Sequence, residues 1–185
     1  MLPKPPASSS QFSKFQEGVN KFRFLSDVVF GYEGWKDSKP FRHEGNVCKI
    51  KPEQVDLNQN GNPNINFFWA AVVWNYRAEK LGDNKWVGKI QVLEITQKTI
   101  MKVLYELEQK EEYGDIKGYD VEITKTKEGD KTTYTTLGMP PKALSKEIKD
   151  AFEKTEVKLE ALFKGEYPMV EHLTEDDDLK DASPF

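Results

Sequence analysis

Lys85-Trp-Val-Gly-Lys-Ile-Gln-Val-Leu-Glu-Ile95, followed across Thr96-Gln97 by Lys98-Thr-Ile-Met-Lys-Val-Leu-Tyr-Glu-Leu-Glu-Gln-Lys-Glu-Glu112, changes its apolar period halfway. The first part alternates, Lys89 and Gln91 against Ile90 and Val92, as a half-buried strand does. Its phase slips near Leu93, which predicts a β-bulge. The second part repeats at helical spacing, with Ile100, Val103, Leu104 and Leu107 on one stripe. Thr96 stands where an N-cap hydroxyl belongs. Gly114 ends the predicted helix, Lys98–Glu112. A helix at this point in a chain of strands orders everything around it.

Before it lie two predicted strands. Lys21-Phe-Arg-Phe-Leu-Ser26 alternates, with Phe22 and Phe24 inward and Lys21 and Arg23 outward. Phe67-Phe-Trp-Ala-Ala-Val-Val-Trp-Asn-Tyr76 is apolar on both faces. Either both faces are covered by protein, or one carries a stacking surface. Trp69 reads as a core residue. Between these strands, Gly31-Tyr-Glu-Gly-Trp35 and the following Lys36, Lys39, Phe41, Arg42 and His43 form an irregular aromatic and basic stretch. Residues 51–66 are rich in turn formers and read as an exposed loop.

After the helix, Tyr119-Asp-Val-Glu-Ile-Thr124 and Thr132-Thr-Tyr-Thr-Thr-Leu137 read as strands joined by the basic loop Lys125–Lys131. Pro140-Pro141 then opens a helical region to about Lys164, with Leu144, Ile148, Phe152, Leu159, Leu162 and Phe163 on its apolar face. Gly165 and Pro168 stop it. The prediction is a mainly β chain with helices. It is a five-stranded barrel of the oligonucleotide/oligosaccharide-binding (OB) type, its helix between strands three and four. A ferredoxin-like sandwich would need a helix after the first strand, where the sequence offers loop. The predicted organisation is a disordered lead at 1–14, the barrel at 15–140, a C-terminal helical region at 141–167 and a disordered acidic tail at 168–185.

Charge is unevenly placed. The net charge is −4, yet Glu171–Phe185 alone carries six acids and one lysine. Residues 1–90 hold 13 bases and 9 acids, so the first half is positive. A polyanionic partner is therefore not excluded by the acidic total. The single Cys48 rules out an intrachain disulfide and suits a reducing cytoplasm. No apolar run reaches membrane-spanning length, and the Pro/Ser-rich start has no signal-peptide core. No phosphate-cradling glycine loop is present. His43 and Cys48 lack the orienting partner of a catalytic dyad, so the chain reads as a non-enzyme without cofactor. Asp176-Asp177-Asp178 lacks the spacing of a tight calcium loop.

The tail has too little apolar surface to offset its ordering entropy. It ends on Pro184-Phe185, an aromatic plug with a free carboxylate, suited to an apolar pocket rimmed by bases. This ending resembles the acidic, Pro-Phe-tipped tails of bacterial and phage single-stranded DNA-binding proteins. The body resembles the same class. Gly18-Val-Asn-Lys-Phe-Arg-Phe-Leu25, Phe68-Trp-Ala-Ala-Val-Val73, Val92-Leu-Glu-Ile-Thr-Gln-Lys-Thr-Ile100, Gly114-Asp115 and Gly118-Tyr-Asp-Val-Glu-Ile-Thr124 are similar to phage helix-destabilising proteins of the T-even type and their smaller relatives. The resemblance covers roughly residues 15–185. Some members carry a His/Cys zinc site. With one Cys and two His this chain lacks it, so no metal is implied.

The resemblance implies a sequence-independent single-stranded DNA binder acting in phage replication, recombination and repair, in the host cytoplasm. Such a protein needs a positive groove and aromatic faces for stacking. By position on an OB barrel, the predicted contacts are Arg23, Tyr32, Trp35, Arg42, Trp74, Tyr76, Arg77, Trp86, Lys89, Lys127 and Lys131. The tail, through Asp176, Asp177, Asp178, Asp181, Pro184 and Phe185, is expected to compete for the groove. Once freed by DNA it would recruit a polymerase, helicase, primase or nuclease. The rival readings are an OB module that binds RNA or protein, and a strand-annealing recombination protein.

Overall fold

A computed structural model describes residues 11–170. The elements run β1 (Gly18–Phe24), β2 (Val29–Lys36), β3 (Lys39–Glu44), β4 (Ile65–Gly82), β5 (Lys85–Ile95), α1 (Lys98–Glu108), β6 (Asp120–Glu128), β7 (Lys131–Gly138) and α2 (Lys146–Glu153). Short 3-10 turns stand at Pro52–Gln54, Ile116–Gly118 and Leu159–Lys164. The protein is mainly β, and its strands pair antiparallel in one seven-stranded sheet.

β4 is the axis of the sheet. Along one edge it pairs β2 through Ile65–Ala70 and then β1 through Val73–Asn75. Along the other edge β5 follows it from Trp69 to Gly82. β1 continues the sheet to β6, and β6 to β7.

Five of these strands are the predicted ones. The other two, β2 and β3, occupy the stretch read as irregular. Their glycines hid them, because glycine weakens a strand reading. Here glycine is required by close approach. A Cβ on Gly31 would fall 2.1 Å from the carbonyl oxygen of His43 across the hairpin. The turn residues Asp37 and Ser38 both have positive φ, 50° and 62°. A two-residue turn of that hand matches the twist of the strands it joins.

The two-sided apolar pattern of β4 is explained by cover on both faces. Ala71 and Val73 face Phe22, Phe24, Leu93, Ile95 and the buried side of α1. Phe68, Ala70, Val72 and Trp74 face the other way, with Ile90 and Val92 of β5. That second face is roofed by Ile148, Leu159 and Leu162. Each such side chain, fully buried, contributes ~1.5–3 kcal/mol of transfer free energy. The region 141–167 is therefore the second layer of the core.

It is not the continuous helix the periodicity suggests. α2 starts at Lys146, where the Ser145 hydroxyl accepts from the Ile148 amide at 3.4 Å. The helix stops at Glu153, and Val157 bridges back to Met169. This break lets Ile148 and the Leu159–Leu162 turn reach one face together. The glycine stop is where it is predicted, with Gly165 left-handed at φ 71°.

The N-terminal segment packs earlier than the predicted lead allows. The Val92 amide donates to the Gln11 carbonyl at 2.8 Å, and the Ser13 amide donates to the Val92 carbonyl at 2.9 Å. Gln11 also donates from Nε2 to the Met169 carbonyl, while the Met169 amide donates to Gln11 Oε1. Residues 11–13 thus cover an edge of β5 that would otherwise present unpaired backbone groups. Residues 11–13, within the predicted lead, are thus packed against the body.

Two smaller expectations are also corrected. α1 ends at Glu108 rather than Glu112, and its N-cap position is Gln97, with no side-chain cap from Thr96. The irregularity in the β4–β5 ladder is not at Leu93. Register is unbroken from Trp69↔Ile95 to Asn75↔Lys89, and the shifts lie between Asn75 and Glu79 and between Lys80 and Gly82 of β4. Residues 1–10, and with them most of the predicted lead, lie outside the described residues, as does the tail segment 171–185 with its six named positions.

Candidate nucleic-acid interface

Three predicted contacts are part of the fold. Arg23 does point away from the main core, but the chain crosses over it, leaving it 2% exposed. Its Nε donates to the Lys117 carbonyl at 2.9 Å and Nη2 donates to the Lys142 carbonyl at 2.7 Å. Its third partner is Asp120, 3.5 Å away. Asp120 is completely buried and gathers further partners. The Tyr76 hydroxyl donates to it at 3.0 Å, and Lys142 Nζ and Lys21 Nζ lie at 2.9 and 3.7 Å. Burial, together with the Asp120 carboxylate, raises the Tyr76 hydroxyl above its ordinary pKa. Trp74 is 7% exposed, packed between β5 and the C-terminal roof. None of the three is free to stack a base or follow a phosphate.

Arg42 is also in structural use. Its Nη2 donates to Glu94 Oε2 at 2.8 Å, Nε lies 3.3 Å from Glu33 Oε2, and the guanidinium stands over the Phe68 ring. Glu33, on β2 directly across from Arg42, is itself buried. Burial first, and then the hydrogen bond and charge of Glu94, push the Glu33 carboxyl up to about 8 against the opposing pull of Arg42. The Trp35 indole donates to Glu33 Oε1 at 3.2 Å. Tyr32 and Trp35, three residues apart on one strand, fall on opposite faces. Tyr32 packs on Phe67 instead, with ring centroids 5.2 Å apart.

The remaining predicted contacts converge at one end of the molecule. β1 runs antiparallel to both β4 and β6, with Val19 paired to Thr124 and Phe22 to Asn75. The far parts of the β4–β5 and β6–β7 hairpins therefore both project past Gly18. Residues 14–17, 77–89 and 125–131, which form this end, hold eight bases and five acids. It is a positive region in a chain of negative total charge. On the β4–β5 arm the half-buried Trp86 ring has Arg77 at 5.8 Å and Lys80 at 5.7 Å. Arg77 is held by a hydrogen bond from Nη1 to the Val19 carbonyl. Lys89 pairs with Glu79 at 2.7 Å. Lys127 and Lys131 are exposed on the second hairpin.

Two clefts continue this end along the surface. One, of about 280 Å³, lies between the N-terminal segment and the base of the arm, lined by Lys14, Gln16, Asn75 and Lys89. The other, of about 660 Å³, brings Trp35 beside Lys39, Pro40 and Tyr167. Phe12 and Lys14 line both. The structure thus adds Lys14, Lys39, Lys80 and Tyr167 to the candidate set. Lys14 had a sequence signal in its position between Phe12 and Phe15. Tyr167 had none, because the turn that presents it depends on tertiary packing.

In comparisons with known proteins, no family model and no curated protein matches the chain.

Proposed function

We propose that the chain binds single-stranded DNA without sequence preference, through the positive end formed by the two hairpins and the adjoining Trp35 cleft. The observation that carries this reading is Trp86, a half-buried aromatic with two cations over its ring on a projecting arm. Aromatic faces stack any base, and neighbouring cations follow the backbone, so such a surface suits single strands of any sequence. The strand connectivity is compatible with an OB barrel. β1, β4, β5, β6 and β7 join as β5-β4-β1-β6-β7, with α1 between β5 and β6. The β2–β3 hairpin is then an insertion between the first two barrel strands, and residues 11–13 lie on an edge of β5. Roles in phage DNA replication, recombination and repair, and recruitment of replication proteins by the 171–185 tail, follow from the resemblance and belong to the same proposal.

The test is a titration with oligo-dT, and with duplex of equal length, followed by tryptophan fluorescence at two salt concentrations. The reading expects quenching by the single strand, little by duplex, and affinity falling with salt at about 0.7 per phosphate contact. The same titration on a chain lacking residues 171–185 is expected to bind more tightly. Absence of binding in both chains would refute the proposal.

A further inference from the structure

A further cleft opens beyond the other end of β1, where Phe24 gives way to Asp27. It measures about 460 Å³, within the range of pockets that accept a small ligand or a few side chains. Phe67, Trp69 and Leu104 line its apolar interior, and Phe30 and Tyr105 stand at its walls. Tyr105 is 60% exposed and Phe30 37%, so the aromatic surface faces solvent.

The rim is acidic. Asp27, Glu108 and Asp115 line it. Lys117 answers Asp27 and Asp115 together, one cation for two carboxylates. Glu108 has no ion pair among the described residues. The last turn of α1 carries no base to complement the helix dipole there. Asp115 also caps the Ile116–Gly118 turn, its side chain accepting from the Lys117 amide, but an acid at a helix C-terminus costs stability rather than adds it, so Glu108 is not explained by the fold. The acidic rim repels a phosphate backbone, which separates this cleft from the positive end.

We propose that the cleft docks a segment of another protein in which an apolar side chain adjoins lysine or arginine. The apolar side chain enters between Phe30 and Tyr105, and the cation meets Glu108 and Asp115. This surface does not depend on nucleic-acid binding and would work on free or DNA-bound chains alike.

The test uses the full chain labelled with nitrogen-15. The Trp69 indole resonance is assigned by its loss in Trp69→Phe. The probe is the blocked peptide acetyl-Lys-Leu-Lys-Phe-Lys-Leu-amide, and the control is the same peptide with Glu in place of Lys. The basic peptide is expected to shift the Trp69 indole in a saturable way, and the acidic one to leave it in place. Glu108→Lys and Tyr105→Ser, both at exposed side chains, are each expected to weaken the response about fivefold with an unchanged unfolding midpoint. No response to the basic peptide, or equal responses to both peptides, would overturn the proposal. So would a Trp69 indole that moves when residues 1–10 are deleted or when oligo-dT is added alone. Those two results would assign the cleft to the chain's own N-terminus or to nucleic acid.

Discussion

A Cβ built on Gly88 would fall 2.3 Å from Cζ2 of Trp74: the indole occupies the space that any larger residue would need. This contact locks β4 to β5 just below the projecting arm, and it makes Trp74 a packing residue. Gly88→Ala is expected to lower stability by ~1–3 kcal/mol through overpacking, read as a reduced urea midpoint. Trp74→Phe is expected to leave the quenching by oligo-dT essentially intact. A loss of most of the quenching in that variant would return Trp74 to the binding surface.

Arg23 and Lys21 sit two residues apart and both face Asp120, but they differ in burial. Removing the buried member leaves Asp120 with only the more exposed cations Lys21 and Lys142, so Arg23→Met is expected to cost ~3–5 kcal/mol. Lys21→Gln, at a partly exposed side chain, is expected to cost less than about 1 kcal/mol. Chemical denaturation of both variants checks the contrast. Equal small losses would mean that Arg23 is not the strut described.

Glu33 gives a pH dependence whose sign is fixed. Its carboxyl is raised from 4.5 to about 8 in the folded chain. The folded state therefore holds a proton that the unfolded chain releases. The stability linked to that proton is complete below about pH 4.5 and is lost as pH rises through about 8. The stability difference between the natural chain and Glu33→Gln should fall steadily between those values. A difference that is flat with pH would show that Glu33 ionises normally.

On the arm, Trp86→Ala is expected to weaken oligo-dT binding by ~1–3 kcal/mol, the range for one stacked base. Lys80→Gln is expected to reduce the salt slope by about 0.7. Arg42→Gln, which breaks a buried bridge, should lower stability and leave that slope unchanged. Salt titrations of the three variants, at a temperature where all remain folded, separate a contact from a strut.

Much of this was legible because it is written in short-range periodicity. The alternation of Lys21–Ser26, the switch from strand to helix at Thr96–Lys98, and the glycine stop at Gly165 each depend on a few neighbouring residues. The helix between the third and fourth predicted strands survives as α1. What escaped was set by contacts far along the chain. The β2–β3 hairpin was concealed because Gly31 makes room for the His43 backbone and Gly34 for the Val55 and Phe41 side chains, neither for strand propensity. Arg23 was assigned outward by the right alternation, but alternation does not tell whether outward means water or a crossing loop.

The candidate site divides the same way. Sequence alone determined that the chain is mainly β, that its charge is uneven, and that aromatics and bases lie interleaved in several segments. Tertiary structure decided which of those residues remain available. The C-terminal layer covers Trp74, Asp120 captures Arg23 and Tyr76, and Glu33 and Glu94 hold Arg42. The register of β1 against β4 and β6 then brings Trp86, Arg77, Lys80, Lys127 and Lys131 to one end. A residue's type and its local period follow from covalent neighbours. Its exposure and partners depend on segments as far as 158 residues away, as Gln11 and Met169 are, and no local pattern carries that information.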